Sequence, residues 1–166
     1  MTIVADSGSI LSFARANRLG LLREVISDLM IPDTVYEDIA IRSARKLGST
    51  EIQDASWIRR LPVHDRTVVA QLPPKLHLGE REAIALAKEQ GAVLLVDERE
   101  ARREALHQGI TVMGSLKVLS EAKARGIIPH VTPVLDELIA AGMYLSEPLS
   151  EAFLRQLGEA EDTQQP

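Results

Sequence analysis

The chain has 166 residues, of which 45% are hydrophobic and 26% charged, and its formal net charge is −5. This length predicts about one domain with a sizeable core, and aliphatic side chains must fill that core because only 3% of the residues are aromatic. The sequence contains no cysteine, which excludes disulfides, zinc–thiolate sites, iron–sulfur clusters and thiol nucleophiles. The negative charge argues against a protein that coats nucleic acid through an overall positive potential.

The N-terminal segment MTIVADSGSI shows no sign of a secretion signal. It has an acid at Asp6 and no basic residue, whereas a signal peptide begins with a positively charged region. No run approaches the ~18 apolar residues of a membrane span. We therefore expect a cytoplasmic protein with no membrane association.

Short apolar segments and helical segments alternate from the N-terminus. TIVAD predicts a strand, and ILSFARANRLG has the apolar spacing of a helix that Gly20 closes. Residues 21–30 predict a second short helix, and LMIP predicts the edge of the next strand. A helix is expected from Pro32 to about Lys46, ended by Gly48. The segment SWIRRLPV predicts a strand, and a loop with two prolines follows.

The second half of the chain continues this alternation. GEREAIALAKEQG is the clearest helix and ends at Gly91, and AVLLVD follows it as a strand. EREARREALHQG then predicts a helix, ITVMG a short strand, and SLKVLSEAKARG a helix. Residues 132–157 predict one or two further helices. We expect a single domain over residues 1–157 and a disordered acidic tail over residues 158–166, because that segment is too polar to pack.

This order of elements indicates an α/β fold. Strands and helices alternate, and the strands are nearly continuous apolar runs, which is typical of a parallel sheet covered by helices on both faces. Such sheets bind ligands beyond the carboxyl ends of their strands. The sequence therefore predicts a three-layer α/β/α fold with a central, mainly parallel sheet and a functional site at that edge.

Three acids are predicted to meet at this edge. Asp6 ends the first strand and Asp97 ends the strand AVLLVD, so both carboxylates emerge on the same side of the sheet. At about 100° per residue, Glu80 shares the apolar face of its helix that packs on the sheet, whereas Glu82 lies about 200° away beside Ala85. Three converging carboxylates repel one another unless a cation lies between them, and Mg²⁺ or Mn²⁺ takes oxygen ligands of this kind.

Each of these acids also has an ordinary structural interpretation. Asp97 can cap the helix that begins after it, Asp6 can bond to the turn over residues 7–9, and Glu80 favours a helix N-terminus through the helix dipole. These alternatives stay open for each residue taken alone. The convergence of the three favours a metal site.

The motifs of the chain, in their order and spacing, resemble one protein family. They are ADSGSILSFARANRLGLL, IPDTVYEDI, ASWI, LGEREAIALAKEQGAVLLVDEREAR, GITVMGSLKVLSEAKARGII and PVLDELIAAGMYLSE. Together they cover nearly the whole chain, which resembles the PIN-domain ribonucleases and, within them, the DUF3368 group, many of whose members look like VapC-like toxins of toxin–antitoxin pairs. The most specific motif is the GE-x-EAI-x-LA helix that leads into a strand ending in Asp97 and then into a basic helix.

The resemblance implies a set of catalytic acids. Asp6, Glu80 and Asp97 are implied to bind the metal and take part in catalysis. A further catalytic acid is implied at Asp38, where the family usually has a glutamate with a longer side chain. Glu37 beside it is the alternative ligand.

Residues around Asp97 are expected to support the site. Glu98 stands where the family often has a second aspartate. Ser115 matches a Ser/Thr position whose hydroxyl would orient an acid or a metal-bound water, and a role as helix N-cap is the alternative. Three arginines on the helix after Asp97 are candidates for contact with substrate phosphate, or else form a solvated helix face on which Glu98 pairs with Arg102. They are Arg99, Arg102 and Arg103.

The implied activity is hydrolysis of RNA phosphodiester bonds by water, with one or two Mg²⁺ or Mn²⁺ ions as cofactors. The four histidines are scattered without ligand spacing and are expected at the surface. The resemblance further implies a homodimer and a small antitoxin protein as the partner in a type II toxin–antitoxin system. The alternative is a PIN-like binding or interaction module with weak catalysis, which the aspartate at position 38 and the negative net charge leave open.

Two other classes of phosphate-handling protein lack their motifs in this chain. An enzyme that forms an aspartyl-phosphate would have a DxD-type first motif and a lysine at a later strand end, but Asp6 is followed by Ser7 and Gly8 and no predicted strand ends in lysine. A Rossmann or P-loop protein would carry G-x-G-x-x-G or GxxxxGK[ST], and neither occurs.

Overall fold

The computed structural model describes residues 1–160 and has a five-stranded sheet at its centre. All strand pairings are parallel, in the order β3-β2-β1-β4-β5. The predicted α/β fold with a parallel central sheet is therefore confirmed. The strands are β1 (Thr2–Ala5), β2 (Asp28–Pro32), β3 (Arg59–Leu61), β4 (Val93–Leu95) and β5 (Val112–Met113).

The central strand β1 marks the place where the order of strands reverses. From β1 the chain adds β2 and β3 on one side and then returns to add β4 and β5 on the other. Val4 of β1 accordingly pairs with Met30 on one side and with Leu94 on the other. In open α/β sheets the crevice at such a switch point is the usual place for a ligand. The carboxyl ends of β1 and β4 therefore define where a site is expected.

Helices cover both faces of the sheet. A π-helical segment, Glu37–Arg42, directly continues α3. Over residues 1–160, no helix is both long enough and apolar enough to cross a membrane. The helices are α1 (Ser7–Arg15), α2 (Leu19–Val25), α3 (Asp33–Tyr36), α4 (Ser49–Asp54), α5 (Arg66–Gln71), α6 (Leu78–Gln90), α7 (Arg99–His107), α8 (Ser115–Ala124), α9 (Thr132–Ala140) and α10 (Glu147–Gln156).

Alternate side chains of the strands divide the core into two parts. Ile3, Ala5 and Leu95 point to one face, where they pack with buried residues of α1, α2, α8 and α9. Val4 and Leu94 point to the other face, where they pack with the buried alanines, isoleucine and leucine of α6. This is the alternation of strands buried on both faces. It produces the three layers that the sequence predicts.

Several element boundaries differ from the predicted ones. Strand β2 begins at Asp28, inside the segment 21–30 that was expected to be helical. The helix expected to reach Lys46 ends at Arg42, as the π-helical segment. Gly48 precedes α4 instead of ending a helix. Its φ of 93° lies in the left-handed region that favours glycine, and a Cβ there would also stand only 2.9 Å from Leu11 Cδ1, so that side chain would have to move.

The C-terminal segment is ordered as far as the structure describes it. The carboxylate of Glu159 accepts hydrogen bonds from the backbone N–H groups of Val131 and Thr132, each at 2.9 Å, and from a lysine of α8. Glu159 is therefore held against α8 and α9, because a polar segment packs when its charged group is paired. The division into one domain over residues 1–157 and a disordered tail stays a prediction. Residues 161–166 of the predicted tail lie outside the described residues.

Candidate active site

A cavity of about 530 Å³ opens at the carboxyl ends of β1 and β4. Its walls come from α1, the starts of α6 and α7, and the loop after α9. Three of the four predicted catalytic acids line it, so the structure brings Asp6, Glu80 and Asp97 together. The lining residues are Asp6, Ser7, Gly8, Ser9, Ser12, His77, Glu80, Asp97, Glu98, Arg99, Gly142, Met143 and Tyr144.

Asp6 is the most buried acid of this cavity, with 3% of the residue exposed. It follows β1 directly and caps α1, because its carboxylate accepts the backbone N–H of Ser9 at 3.0 Å. Burial raises the pKa of Asp6 to about 6, opposed by the hydrogen bond from Ser9 and reinforced by the negative charges of Asp97 and Glu80. Asp6 therefore both caps α1 and lines the acidic cavity.

The carboxylate of Asp97 is held by the first residue of α8. Ser115 is fully buried and donates its backbone N–H to Asp97 Oδ1 at 2.7 Å and its hydroxyl to Oδ2. A Cβ on Gly114 would lie 3.1 Å from Asp97 Oδ1, so a side chain at that position would crowd the carboxylate. Gly114 is also the residue that caps α8. The structure thus places Ser115 as an orienting residue for Asp97 rather than as the N-cap.

Glu80 reaches the cavity from the first turn of α6. Its Oε2 accepts the backbone N–H of His77 at 2.9 Å, and the residue is half-buried. Its negative charge is close enough to contribute to the raised pKa of Asp6. His77 itself is exposed, as expected for the histidines, but it lies in the cavity wall.

The predicted orientation of Glu82 is wrong. Helical spacing places Glu82 and Ala85 on the outer face of α6, but both are buried because α3 and α5 pack on that side of the helix. Glu82 accepts hydrogen bonds from the hydroxyl of Thr34 and from Arg66 Nη1, the latter at 2.6 Å. Glu82 is therefore a paired structural carboxylate that connects α6 to α3 and α5.

The two candidates for the fourth acid lie on the π-helical segment and make different contacts. Glu37 accepts a hydrogen bond from Arg60 Nη2 at 3.3 Å, beside the edge strand β3. Asp38 Oδ2 lies 3.6 Å from the point where a Cβ of Gly79 would stand, and Ser7 Oγ lies 3.7 Å from that same point. Neither acid lines the cavity. Asp38 is the one that lies next to its wall.

Among the predicted phosphate contacts, Arg99 lines the cavity and is exposed. Arg102 Nη1 instead donates to the backbone oxygen of Val96 at 2.8 Å, and Arg103 is exposed on α7 outside the cavity wall. The alternative pairing of Glu98 with Arg102 is not formed. Glu98 lies in the cavity wall and caps α7 by accepting a backbone N–H at 2.7 Å.

The cavity offers oxygen donors of the type that hard divalent cations take. The hydroxyl of Ser9 is buried in the cavity wall and has no hydrogen-bond partner of ordinary geometry among the described residues. It is nevertheless close enough to Asp6 to lower the pKa of that carboxyl. Within residues 1–160, no three acidic or histidine side chains stand close enough to hold an ion by themselves. Mg²⁺ commonly takes one or two carboxylates and completes its shell with water and phosphate. Asp6 and Asp97 fit such an ion in donor type.

Several cavity residues are not indicated by the sequence, and two of them bear on the chemistry of the site. The sequence predicts Ser9 only as part of a turn, and it does not indicate Tyr144, which lines the cavity and is 89% exposed. The signal for Tyr144 was its rarity, because the chain has only two tyrosines and one tryptophan. Which of these few rings faces a site depends on tertiary contacts.

Comparison with known proteins agrees with the fold. The chain is similar to the solved structure of a PilT N-terminus domain protein from the hyperthermophilic archaeon Sulfolobus solfataricus P2, with a TM-score of 0.51 and 19% identity, over 74% of this chain and 93% of that one. At this identity the likeness supports the fold alone. No match was found among curated proteins.

A family model identifies the chain more specifically. Residues 2–159 match the model of DUF3368, a PIN domain. PIN domains are generally nucleases and typically use divalent metal ions. The predicted toxin role stays a prediction. Because the match spans almost all of the described residues, the chain belongs to the PIN-domain family DUF3368.

Proposed function

We propose that the chain is an endoribonuclease that depends on Mg²⁺ or Mn²⁺. The observation that carries the proposal is the convergence of Asp6, Glu80 and Asp97 on one cavity, close enough that the other two charges add to the raised pKa of Asp6. Like charges gathered in this way oppose one another's ionisation unless a cation is present. A divalent cation held by Asp6 and Asp97, with the charge of Glu80 nearby, would account for the arrangement.

Each acid is oriented by a donor from its own surroundings. Ser115 holds Asp97, the backbone N–H of Ser9 holds Asp6, and the backbone N–H of His77 holds Glu80. Donors behind a metal ligand fix its orientation and tune its basicity, and their loss typically costs 10- to 100-fold in metal affinity or activity. The chain therefore supplies positioned oxygen ligands on rigid strand ends and helix starts.

The proposed reaction adds water across one phosphodiester bond. Asp6 and Asp97 would hold the Mg²⁺ or Mn²⁺ ion, which would supply a lower pKa for the attacking water and stabilisation of the charge on the leaving oxygen. One bond forms between the water oxygen and phosphorus, and one bond from phosphorus to a ribose oxygen breaks, so a side-chain nucleophile is not required. Arg99, exposed in the cavity wall, is positioned to contact a substrate phosphate.

The proposal extends to the partners of the chain. Resemblance to the PIN-domain toxins supports RNA as the substrate, a homodimer as the assembly, and a small antitoxin protein as the inhibitor in a type II toxin–antitoxin system that acts in the cytoplasm. A basic side chain of such an antitoxin would complement the acidic cavity.

The test is cleavage of a mixed RNA pool by the purified chain with Mg²⁺ or Mn²⁺ and with a chelator. We expect cleavage that requires the metal and is lost in an Asp6→Asn, Asp97→Asn double variant whose circular dichroism matches the parent. The matched control is a Glu24→Gln, Glu151→Gln double variant, which removes two exposed acids outside the cavity and should cut normally.

Calorimetric titration with Mn²⁺ separates the proposed nuclease from the alternative. We expect the parent chain and the control to take up Mn²⁺ and the Asp6→Asn, Asp97→Asn variant to take up much less. If the parent neither cuts RNA nor takes up metal, the nuclease proposal fails and the chain is better described as a PIN-shaped interaction module.

A further inference from the structure

Tyr144 differs from the other aromatic residues of the described chain in its exposure. It is 89% exposed, whereas Phe13 is fully buried, and Trp57 and Phe153 pack against the core. The ring of Tyr36 is covered by a guanidinium group 4.5 Å from its centroid. An aromatic ring in water lacks the large hydrophobic stabilisation that burial would give it. A binding partner that covers the ring of Tyr144 would supply that stabilisation.

The backbone around Tyr144 is fixed, so its exposure does not come from a frayed loop. Gly142, at φ 111°, turns the chain after α9. Met143 is buried and donates its backbone N–H to Leu138 O at 3.0 Å. Leu145, on the other side, packs against the core. The ring is therefore presented to solvent by two anchored neighbours.

The ring lies at the acidic cavity and beside positive charge. Tyr144 and Gly142 line the cavity together with Ser12 of α1. Arg15 follows Ser12 on the same face of α1, and Arg15 Nη1 lies 3.7 Å from the point where a Cβ of Gly142 would stand. Within residues 1–160, neither Arg15 nor Arg99 forms an ion pair, although arginines elsewhere on the surface do.

We propose that Tyr144 is a stacking subsite for one unpaired nucleobase of the RNA strand whose phosphodiester lies in the acidic cavity, with Arg15 contacting the phosphate on that side. This inference rests on the proposed function and adds a residue, Tyr144, that binds an unpaired base of the strand. Unpaired bases stack on exposed aromatic rings while basic side chains follow the backbone. A duplex keeps its bases stacked inside and cannot offer one to the ring.

The surroundings of Tyr144 favour a nucleobase over a protein partner. Most of the residues that line the cavity with Tyr144 are small, polar or charged, and its apolar neighbour Met143 is buried, so the cavity wall does not present the contiguous apolar patch expected of a protein-binding surface. One exposed ring in a cavity wall that also holds Arg99, with Arg15 Nη1 close to Gly142, matches the alternating base and phosphate of a single strand. Arg15 Nε donates only to the backbone oxygen of Leu47, at 3.4 Å.

The test measures binding of a short fluorescent single-stranded RNA in the Asp6→Asn, Asp97→Asn background, where cleavage does not interfere. We expect Tyr144→Ala to weaken binding roughly 5- to 100-fold, and Tyr144→Phe to stay within about twofold because phenylalanine keeps the ring face. The matched control is Leu106→Ala, which removes another exposed apolar side chain outside the cavity and should leave binding unchanged.

An RNA series with one abasic position moved along the strand makes the test specific. One abasic position should reproduce the loss caused by Tyr144→Ala, and combining the two should cause no further loss, because both remove the same stack. Duplex RNA should bind weakly and show no dependence on Tyr144. Single-stranded DNA of the same sequence should show it, since the ring does not contact the 2′-hydroxyl.

The inference is overturned if Tyr144→Ala binds single-stranded RNA as tightly as the parent, which would indicate a protein partner for the ring. It is also overturned if, at every abasic position, the loss of affinity adds to the loss caused by Tyr144→Ala. These outcomes are independent of cleavage. RNA binding that depends on Tyr144 in a chain that never cuts RNA supports the subsite and removes the nuclease. If cleavage depends on metal but Tyr144→Ala leaves the KM for RNA unchanged, the nuclease is supported and the stacking subsite is removed.

Discussion

Two regions of the molecule bury a carboxylate in opposite ways. Burial alone would raise the pKa of Glu159, but hydrogen bonds from Lys123, Val131 and Thr132 together lower it to about 2. In the cavity, burial dominates, and the charges of other acids reinforce it, so the pKa of Asp6 rises to about 6. The Glu159 carboxylate accepts four hydrogen bonds, whereas the Asp6 carboxylate accepts one, from the backbone N–H of Ser9.

This difference separates carboxylates that are paired within the fold from the cavity acids that we propose as metal ligands. Glu82, like Glu159, is paired with a cation and a hydroxyl supplied by neighbouring helices. Asp6 shares its cavity with other acids, and the arginine in the wall, Arg99, is exposed. Perturbed acids in a cleft are typical of functional sites.

The largest expected effect is on stability, at Glu159. Glu159→Ala removes the acceptor shared by the partly exposed Lys123 ammonium, two backbone N–H groups and the Thr132 hydroxyl. Each hydrogen bond to a charged group contributes about 1.5–3 kcal/mol, so losing several together should cost about 3 kcal/mol or more. We expect a loss of that size in urea unfolding. Glu151→Ala, at an exposed position of α10, should change stability by less than about 0.5 kcal/mol.

The stabilisation by Glu159 also has a defined pH window. Its pKa is about 2 in the folded chain and 4.5 without the fold, so the folded state holds fewer protons between these values and stability falls as the pH drops through that range. The difference between the parent and Glu159→Gln should be constant above about pH 5 and shrink towards pH 2. A difference that does not change with acid would mean that the charge of Glu159 contributes nothing.

The next largest effect is expected at Asp6 and has the opposite sign. The folded pKa of about 6 lies above the ordinary 3.8, so stability of the metal-free chain falls as the pH rises from about 4 to 6, by up to about 3 kcal/mol. Asp6→Asn avoids this cost and keeps an N-cap side chain. We expect this variant to unfold at higher urea than the parent at pH 8 in chelator, and at similar urea at pH 4.

Adding Mn²⁺ should reverse the order of the two proteins at pH 8. An ion that binds only the folded parent stabilises it by mass action, whereas Asp6→Asn lacks one of the proposed ligands. If the parent is already the more stable protein in chelator, the contrast between Asp6 and Glu159 is wrong.

A smaller effect is expected from the residue that orients Asp97. Ser115→Ala removes the hydroxyl donor to Oδ2 but keeps the backbone N–H to Oδ1, and we expect a loss of about 10- to 100-fold in Mn²⁺ affinity and in cleavage. Ser120→Ala is the matched control on α8, because its hydroxyl bonds only to the backbone oxygen of Lys117. Equal behaviour of the two variants would remove Ser115 from the site.

The fold and the core of the site follow from local sequence features. Apolar strands alternating with helices predict the parallel sheet, and the rule that ligands bind at strand ends brings Asp6 and Asp97 together. Glu82 was misplaced because spacing assumes that α6 has an open face, whereas α3 and α5 cover it. The pairing of Glu159 was not predictable because its donors lie 27 to 36 residues away in the chain.

The choice between Glu37 and Asp38 was beyond the sequence for a different reason. The segment is a π-helix, whose wider turn with i→i+5 hydrogen bonds shifts each side chain away from the direction that ordinary helical spacing gives. Arg60 engages Glu37 at 3.3 Å. Asp38 Oδ1 accepts from Arg42 at 2.7 Å in an exposed pair, which is worth only about 0.5 kcal/mol and is readily given up to a stronger ligand.

The smallest effect therefore distinguishes these two acids. Asp38 lies beside Gly79 and Ser7 at the cavity wall, and we expect Asp38→Asn to lower cleavage about tenfold, as loss of an outer partner of a metal site does. Glu37→Gln should stay within about twofold, because Glu37 contacts Arg60 on the other side. Asp38→Glu lengthens the arm towards the cavity and should cut at least as well as the parent. A loss confined to Glu37→Gln would assign the fourth acid to Glu37 and would require Arg60 to release it when substrate binds.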